Sequence, residues 1–219
     1  MIKEAIAILA DGGELNDEQT TEVAHEIMDG QALPTQIAAF ITALRCRGER
    51  VEDVVSFVRV MREKATPLNV PDGPILDTCG TGGDGSNTFN ISTAAAIVAA
   101  AAGITVAKHG NRAVSSSCGS ADVLTELGVK VDVPVEGTER CLAEIGLGFM
   151  FAPLYHGAMK HAIGPRREVG IRTIFNLLGP LSNPAKADHQ LLGVYHVELT
   201  QMFAEVLAEL GTKRAMIVH

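Results

Sequence analysis

The stretch "DTCGTGGDGSNTFNIST", Asp77–Thr93, decides the fold because it joins a short strand to a helix through a glycine-rich loop. It runs into "AAAIVAAAAG", residues 94–103, which carries no charged side chain. The glycines at 80, 82, 83 and 85 can adopt positive φ and direct successive N–H groups at one point. A helix N-terminus behind them adds unpaired N–H groups and a positive dipole end. The stretch therefore predicts an anion site, with phosphate as the favoured ligand, although a plain strand–helix turn has the same composition.

The loop differs from both common nucleotide fingerprints, since it contains no GxxxxGK[ST], and "GTGGDG" lacks the helix that follows GxGxxG immediately in dinucleotide-binding proteins. Asp84 within it would repel a bare phosphate. Its carboxylate indicates either a sugar hydroxyl or a metal ion nearby, as phosphorylated ribose with Mg²⁺ would supply. The alternative is an Asx turn that holds the shape of the loop. Both interpretations of Asp84 stay open at this point.

Hydrophobic periodicity divides the chain into a helical part and an alternating part. Residues 1–66 read as short amphipathic helices, and 67–74, within "TPLNVPDGP", form a predicted hinge rich in proline. From 75 to 219 short strands alternate with helices, which predicts βαβ units and a mostly parallel sheet. The fold class is thus α/β, with a small all-helical N-terminal domain. Predicted strands lie at 75–77, 104–107, 129–133, 148–152, 192–195 and 215–218.

Composition excludes several classes of protein. The net charge of −8 argues against a general nucleic-acid or anionic-membrane binder, which needs a basic field. The longest uncharged apolar stretch, 94–107, is shorter than the roughly 20 residues that span a bilayer. Four widely spaced cysteines form no CxxC pair, so a zinc site or disulfide framework is not expected. With no signal peptide at the N-terminus, we expect a soluble cytoplasmic protein.

A second polar segment, "KHGNRAVSSSCGSAD" (Lys108–Asp122), follows the predicted strand at 104–107. It combines the cations Lys108 and Arg112 with several serines, an environment suited to phosphate oxygens. Ser120 can also cap the helix predicted after it. Ligands of open α/β sheets bind at the carboxyl ends of strands, so one pyrophosphate-bearing ligand could contact both loops. A polar surface loop is the alternative.

A third segment, Tyr155–Pro184, concentrates positive charge in an acidic chain. Its arginines are Arg166, Arg167 and Arg172, accompanied by His156 and His161. An arginine fork suits a carboxylate substrate. At least one of these arginines is expected to lie on a solvated helix face instead.

Three segments together resemble the signature segments of the anthranilate phosphoribosyltransferase family: "DTCGTGGDGSNTFNIST", "KHGNRAVSSSCGSADVLTELGV" and "GIRTIFNLLGPLSNPA". The similarity extends over the whole chain, including "QIAAFITALRCRGE" in the N-terminal helices. The resemblance implies a helical domain plus a larger α/β domain, with phosphoribosyl pyrophosphate bound near the hinge. It implies transfer of phosphoribosyl to anthranilate with Mg²⁺ in tryptophan biosynthesis, by a homodimer formed through the helical domain.

The resemblance also implies site residues. The implied contacts to phosphoribosyl pyrophosphate are Gly80, Gly83, Asp84, Thr88, Asn90, Ile91, Ser92, Thr93, Lys108, His109, Gly110, Asn111, Arg112, Ala113, Val114, Ser115, Ser116 and Ser120. The implied anthranilate contacts are Gly80, Asn111 and Arg166, with His109 and His156 nearby. Ser92 matches a magnesium-contacting serine. No residue is identified as a catalytic base, and His109 is the candidate for that role.

The chain departs from the family pattern at its end. The family carries an Asp-Glu pair, its main magnesium ligands, just after a strand resembling "RAMIVH", and here the sequence stops at His219. We therefore expect a C-terminally truncated family member whose sheet is incomplete. Alternatives are an inactive fragment or non-catalytic binding paralogue, and a nucleoside phosphorylase of the same superfamily. The second alternative is disfavoured because the characteristic loop of those enzymes differs from "KHGNRAVSSSCGSAD".

Overall fold

The computed structural model describes residues 1–83, 85, 88–113 and 118–219. The strands are β1 Ile75–Gly80, β2 Thr105–Gly110, β3 Leu147–Phe151, β4 His189–Gly193 and β5 Arg214–Val218. The helices are α1 Ile2–Ala10, α2 Asp17–Met28, α3 Pro34–Arg47, α4 Val51–Lys64, α5 Ile91–Ala101, α6 Ser120–Glu126, α7 Val135–Ile145, α8 Ala152–Tyr155, α9 Lys160–Val169, α10 Phe175–Leu178 and α11 Leu199–Glu209. Short 3₁₀ turns lie at Gly157–Met159 and Gly179–Leu181.

The chain divides into two compact units, and neither is continuous in sequence. One unit, here the helical unit, comprises Met1–Ala65 and His156–Ser182. The other, the α/β unit, comprises Thr66–Tyr155 and Asn183–His219. The sequence assigned 156–182 to the α/β domain, but this segment packs with the N-terminal helices. The predicted hinge at 67–74 stays a prediction.

Direct packing explains why 156–182 belongs to the helical unit. Helix α9 contacts α3 and α2, and α10 contacts α4. The ring of Phe175 meets the edge of Phe57, with centroids 5.9 Å apart. Gly30 accommodates the ring of His161, since a Cβ at Gly30 would lie 2.5 Å from that ring. Sequence periodicity cannot reveal such contacts because they join segments more than a hundred residues apart.

Helix ends in the helical unit are set by local sequence. Asn16 caps α2 by accepting a hydrogen bond from the Gln19 amide at 2.8 Å, and the Gln19 side chain accepts one from the Asn16 amide at 3.0 Å. This reciprocal pair is a capping box. At the junction of α3 and α4, the fully buried Asp53 pairs with Arg47 and Arg50. The predicted all-helical N-terminal region is confirmed.

The α/β unit contains a five-stranded sheet in the order β3-β2-β1-β4-β5, with every pairing parallel. This confirms the predicted fold class. Helix α5 connects β1 to β2 and packs on both strands. An apolar cluster on the sheet joins Ile75, Ala107 and Met150 to Leu142 of α7 and to Tyr155. Burying these side chains is the main stabilising contribution to this unit.

Several strand predictions differ from the structure. Strands β1 and β4 are Ile75–Gly80 and His189–Gly193, where the sequence predicted 75–77 and 192–195. Strand β2 extends to Gly110 rather than ending at 107, because its pairing with β3 continues to Gly110 opposite Phe151. The predicted strand at 129–133 is wrong, as this segment joins no sheet in the described residues. Its central residue Val131 instead packs against Ala121 and Leu124 of α6. No helix within the described ranges has the length and apolarity needed to cross a membrane.

Chain connectivity places a switch point between β1 and β4. From β1 the chain runs outward to β2 and β3, and then returns to the other side of β1 to form β4 and β5. The crevice beyond the carboxyl ends of two such strands is the usual ligand position in open α/β sheets. Here the loops after β1 and β4 are joined, since the Thr81 amide donates to the Gly193 carbonyl at 2.9 Å and the Tyr195 amide donates to Thr81 Oγ1 at 2.9 Å. The glycine loop therefore begins at the switch point.

Candidate functional site

The glycine loop after β1 has the backbone that its sequence predicts. Gly82, Gly83 and Gly85 have φ of +65°, +69° and +72°, a left-handed region that glycine occupies without strain. Gly80 differs, because close approach rather than positive φ requires glycine there. A Cβ at Gly80 would lie 3.2 Å from the Gly193 carbonyl oxygen of β4. Asp84 lies outside the described residues.

Helix α5 begins directly behind this loop. Asn90 is its N-cap, and its side-chain oxygen accepts hydrogen bonds from the Thr93 amide at 3.1 Å and from Ser92 Oγ at 3.2 Å. Thr78 of β1 donates to the Ser92 carbonyl at 2.7 Å, which ties the first turn of α5 to the strand. Ile91 and Thr88 are exposed. The start of α5 is thus held at the carboxyl end of β1, where its dipole favours an anion.

Thr93 adds a buried polar atom to the first turn of α5. It is 2% exposed, and its Oγ1 has no hydrogen-bond partner among the residues that the structure describes. Buried hydroxyl groups without a partner are uncommon and call for an explanation. A ligand oxygen at the helix N-terminus would provide that partner.

Lys108 lies in strand β2, not in the polar loop where the sequence placed it. It is 2% exposed, yet its Nζ donates to the Thr78 carbonyl and to Ser92 Oγ, the latter at 3.1 Å. An ammonium group has three N–H donors, so these two bonds leave one for a ligand. Lys108 therefore joins β1, β2 and α5 at a single cationic point.

Asp77 is the buried charge that accompanies Lys108. Burial raises the pKa of Asp77, while the Lys108 charge and hydrogen bonds, including one from the His109 amide, oppose that rise. Burial lowers the pKa of Lys108, and the negative charge of Asp77 opposes that change. Each group thus favours the ionised form of the other. The electrostatic interaction with Asp77 therefore favours the charged form of Lys108, against the effect of burial.

His109 and Gly110 complete strand β2. Successive side chains of a strand point to opposite faces of the sheet, so His109 lies on the face opposite Lys108. It is 6% exposed. Gly110 is required by packing, because a Cβ there would lie 2.9 Å from the Phe149 ring. The candidate base and the cationic point are therefore on different faces of the sheet.

The polar loop after β2 is anchored by Asp122, a residue that the sequence interpretation missed. Asp122 Oδ2 accepts hydrogen bonds from the amides of Ala113 at 2.8 Å and Gly119 at 2.9 Å, and Oδ1 pairs with Arg112 at 3.1 Å. These bonds lower the pKa of Asp122, the two backbone amides having the largest effect. Arg112 also lies over the Phe151 ring, 5.8 Å from its centroid. The signal that could have revealed Asp122 is its position three residues after Gly119, where a capping-box acid occurs.

The structure also describes two other residues of this loop that were predicted to contact the substrate. Asn111 is exposed, and its side chain accepts a hydrogen bond from the Arg112 amide at 2.8 Å. Ser120 is the first residue of α6, whereas Gly119 rather than Ser120 is the N-cap. Val114, Ser115 and Ser116 lie outside the described residues.

Arg166 lies on α9, in the helical unit. It is half-buried, its guanidinium carbon is 5.2 Å from the Phe175 ring centroid, and burial lowers its pKa. Within residues 1–83, 85, 88–113 and 118–219 it forms no ion pair with a carboxylate. Arg167 beside it is exposed, as expected for a solvated helix face. Burial also lowers the pKa of His156 to about 4, so its imidazole is neutral at pH 7.

The magnesium prediction was tested against the ligands that the chain offers. The described part of the chain has no group of three His, Cys, Asp or Glu side chains able to hold a metal ion. Ser92 Oγ provides one half-buried oxygen beside Lys108. Mg²⁺ is usually held by one or two carboxylates together with phosphate oxygens and water. Ser92 Oγ could supply one oxygen ligand, and the carboxylates would have to come from outside the described residues or be replaced by substrate phosphates.

Comparison with known proteins adds to this geometry. Residues 3–65 match a family model described as "Glycosyl transferase family, helical bundle domain", and residues 72–219 match "Glycosyl transferase family, a/b domain". An anthranilate phosphoribosyltransferase from Geobacter sulfurreducens is 57% identical over 233 aligned residues, covering 100% of this chain and 67% of that protein. These matches bear out the resemblance that the sequence motifs carry.

Solved structures agree with the sequence matches. The crystal structure of anthranilate phosphoribosyltransferase from Thermus thermophilus superposes with a TM-score of 0.91 at 48% identity, covering 96% of this chain and 63% of that one. The Saccharomyces cerevisiae enzyme in complex with phosphoribosyl pyrophosphate and magnesium gives a TM-score of 0.90 at 29% identity, covering 99% and 64%. The chain thus spans about two thirds of the length of these relatives.

Proposed function

Because this chain belongs to the glycosyl transferase family represented by both domain models, we propose that it is an anthranilate phosphoribosyltransferase. It transfers the phosphoribosyl group of phosphoribosyl pyrophosphate to the amine of anthranilate, in tryptophan biosynthesis. The products are N-(5-phosphoribosyl)anthranilate and pyrophosphate. The similarity of relatives that carry this name, over the whole length of this chain, supports the proposal.

The observation that carries the proposal is the cationic point at the carboxyl end of β1. Lys108 Nζ, Ser92 Oγ and the N-terminus of α5 converge there, next to glycines with positive φ. A diphosphate needs this combination of one charge, several backbone N–H donors and a helix dipole. We assign the pyrophosphate group of the substrate to this point, with Thr93 Oγ1 as a further hydrogen-bonding group.

The reaction is a displacement at C1 of the ribose. The lone pair of the anthranilate amine forms the N–C1 bond, and the C1–O bond breaks as pyrophosphate leaves with its electron pair. Negative charge develops on the leaving oxygen, where Lys108 and the α5 N-terminus stabilise it; such preorganised stabilisation is usually the largest catalytic effect. The new ammonium centre then loses a proton to water. An aryl ammonium is acidic enough to do so without a strong base, so no catalytic base is assigned.

Ser92 Oγ would be the residue of this chain that holds Mg²⁺. The ion would supply positive charge that makes pyrophosphate a better leaving group. The complex of the yeast relative with phosphoribosyl pyrophosphate and magnesium supports this assignment. Ser92 is pre-positioned for it by its hydrogen bonds to Asn90 and Lys108.

We assign the anthranilate carboxylate to Arg166. A half-buried guanidinium pairs strongly with a carboxylate because little water screens the interaction. Arg166 lies over the Phe175 ring, and its planar guanidinium can contact a carboxylate through two N–H groups. Asn111 and Gly80 remain additional proposed contacts to anthranilate, and the site residues carried over from the resemblance stay predictions.

The assembly and location of the protein are also proposals. A homodimer through the helical unit, acting in the cytoplasm, is what the resemblance implies. Sedimentation equilibrium tests the first point: a dimer mass that becomes monomeric when exposed apolar residues of α1–α4 are changed to charged ones supports it. A monomer at micromolar concentration would contradict it.

The test of the activity uses a matched pair of neighbouring arginines. With phosphoribosyl pyrophosphate and Mg²⁺, the protein should consume anthranilate, measured as loss of its fluorescence. Arg166→Ala should raise the KM for anthranilate at least about tenfold, the equivalent of about 1.4 kcal/mol. The KM for phosphoribosyl pyrophosphate should change little. Arg167→Ala, on the exposed face of the same helix, should leave both unchanged.

Two outcomes would contradict the proposal. Equal losses for both substrates in Arg166→Ala would remove Arg166 from carboxylate binding. Binding of phosphoribosyl pyrophosphate without any turnover would favour a non-catalytic binding protein. Phosphorolysis of a pyrimidine nucleoside instead of anthranilate consumption would identify a nucleoside phosphorylase.

A further inference from the structure

The segment 111–119 that follows β2 is closed by one side chain. Asp122 is the third residue of α6, and its Oδ2 accepts hydrogen bonds from the amides of Ala113 and Gly119, at 2.8 and 2.9 Å. These two amides lie on either side of the residues that the structure does not describe. Asp122 therefore fastens both ends of the segment to α6.

Helix capping alone does not account for this arrangement. A capping box needs only the bond from the Gly119 amide to Asp122. The bond from Ala113 and the ion pair with Arg112, at 3.1 Å, lie outside the helix and add nothing to its first turn. The Asn111 carbonyl also accepts from the Ala121 amide at 3.2 Å. The start of α6 thus holds the three residues that leave strand β2.

The two ends of the segment are in van der Waals contact. A Cβ at Gly119 would lie 2.4 Å from the Ala113 nitrogen and 2.6 Å from the Arg112 carbonyl carbon. Only glycine permits this approach, since both neighbours are backbone atoms. Close contact and the Asp122 bonds together define the position of 111–113 at the carboxyl end of β2.

We propose that Asp122 is a positioning residue for pyrophosphate binding, because its carboxylate holds Asn111, Arg112 and Ala113 beside the anion site. This inference rests on the proposed function, in which these three residues contact phosphoribosyl pyrophosphate. Asp122 itself does not touch the substrate. Its contribution passes through the two backbone amides and through Arg112, whose side chain is 54% exposed and would otherwise sample many rotamers.

The direction of the change in pyrophosphate affinity distinguishes a positioning role of Asp122 from a direct electrostatic effect of its charge. A carboxylate near an anion site weakens anion binding through repulsion, so removing its charge should strengthen binding of pyrophosphate. A positioning role predicts the reverse, since loss of the two amide bonds releases 111–113. Weaker binding in Asp122→Ala would therefore oppose the direct effect of charge.

The experiment measures binding of inorganic pyrophosphate with Mg²⁺ by titration calorimetry, using four proteins. Asp122→Ala should weaken binding at least about tenfold, as expected for the loss of hydrogen bonds to a charged acceptor. Asp122→Asn keeps an oxygen that can accept from both amides, and should restore affinity to within about threefold of the unchanged protein. Glu126→Ala removes the same charge from the exposed end of α6 and should have no effect.

A second variant covers the case in which Asp122→Ala does not fold. Gly119→Ala leaves Asp122 intact but forces the two ends of the segment apart, and should also weaken pyrophosphate binding. Equal or tighter binding in Asp122→Ala or in Gly119→Ala would overturn the inference. So would a loss in Asp122→Asn as large as that in Asp122→Ala. If the unchanged protein does not bind pyrophosphate, the proposed function itself fails and this inference fails with it.

Discussion

At the amino end of the sheet Asp188 has a partner for each carboxylate oxygen, whereas toward the carboxyl end Lys108 is buried and donates to one carbonyl and one hydroxyl among the described residues. Asp188 Oδ1 accepts from the Ile75 amide at 2.9 Å and contacts the His189 ring at 2.8 Å, and Oδ2 pairs with Lys213 at 2.8 Å. Its carbonyl accepts from the amides of Lys213 and Arg214. One residue thus joins the first residues of β1, β4 and β5.

The carboxyl end is built differently. Lys108 is almost completely buried, and its ammonium group contacts only a carbonyl and a hydroxyl among the described residues. The hydroxyl belongs to Ser92 in the first turn of α5. Buried charges with incomplete hydrogen bonding are costly to fold. We infer from this difference that the charge of Asp188 stabilises the sheet, and we propose that the charge of Lys108 serves ligand binding.

The largest expected effect comes from Lys108→Met. Removing the buried ammonium should weaken binding of phosphoribosyl pyrophosphate about 100-fold, roughly 3 kcal/mol, measured by calorimetry. The double variant Asp77→Asn/Lys108→Met should recover stability to urea, because no uncompensated charge remains buried, but not affinity. Unchanged affinity in Lys108→Met would mean that the lysine is structural, and the contrast between the two ends would be lost.

Asp188→Asn should reduce the stability of the protein without reducing its affinity for the substrate. It should lower the free energy of unfolding by roughly 2 kcal/mol at pH 7, measured by urea titration, and leave affinity for phosphoribosyl pyrophosphate unchanged. Asp132→Asn, at an exposed site, should change neither. A large loss of affinity in Asp188→Asn would contradict the inference that the two ends of the sheet serve stability and ligand binding separately.

The pH dependence of that loss follows from the pKa of Asp188. Burial opposes ionisation, but hydrogen bonds from Lys213, His189 and the Ile75 amide together lower the pKa well below its usual range. The stabilisation is therefore complete above the unfolded-state pKa of about 4. It is lost as the pH falls toward the folded-state value. The difference between Asp188→Asn and the unchanged protein should shrink as the pH is lowered below 4.

The smallest expected effect concerns the hydrogen bonds that link the loops after β1 and β4. Thr81→Val removes the acceptor of the Tyr195 amide and should lower the free energy of unfolding by about 1 kcal/mol. Affinity for phosphoribosyl pyrophosphate should fall by only a few-fold, since no group at the anion site is removed. Thr81→Ser retains the hydroxyl and should behave as the unchanged protein. A loss of affinity as large as that of Lys108→Met would show that the hydrogen bonds between these two loops determine the geometry of the anion site.

Much of the backbone structure at the proposed anion site could be predicted because its signals are local. Positive φ at Gly82, Gly83 and Gly85, and the cap at Asn90, follow from residue types within one short stretch. Short strands that alternate with helices predicted the parallel sheet. The extent of β2 could not be predicted, because Lys108, His109 and Gly110 become strand through pairing with β3.

The sequence by itself determined the α/β class, the glycine loop and the family, because each depends on residues close together in the chain. Only the tertiary structure decided that Lys108 is buried against Ser92, that Asp122 closes the segment 111–119, and that 156–182 packs with the N-terminal helices. The physical reason is that burial and hydrogen bonding depend on which distant segments meet. Neighbouring residue types determine local backbone structure, whereas tertiary packing determines which distant groups come into contact.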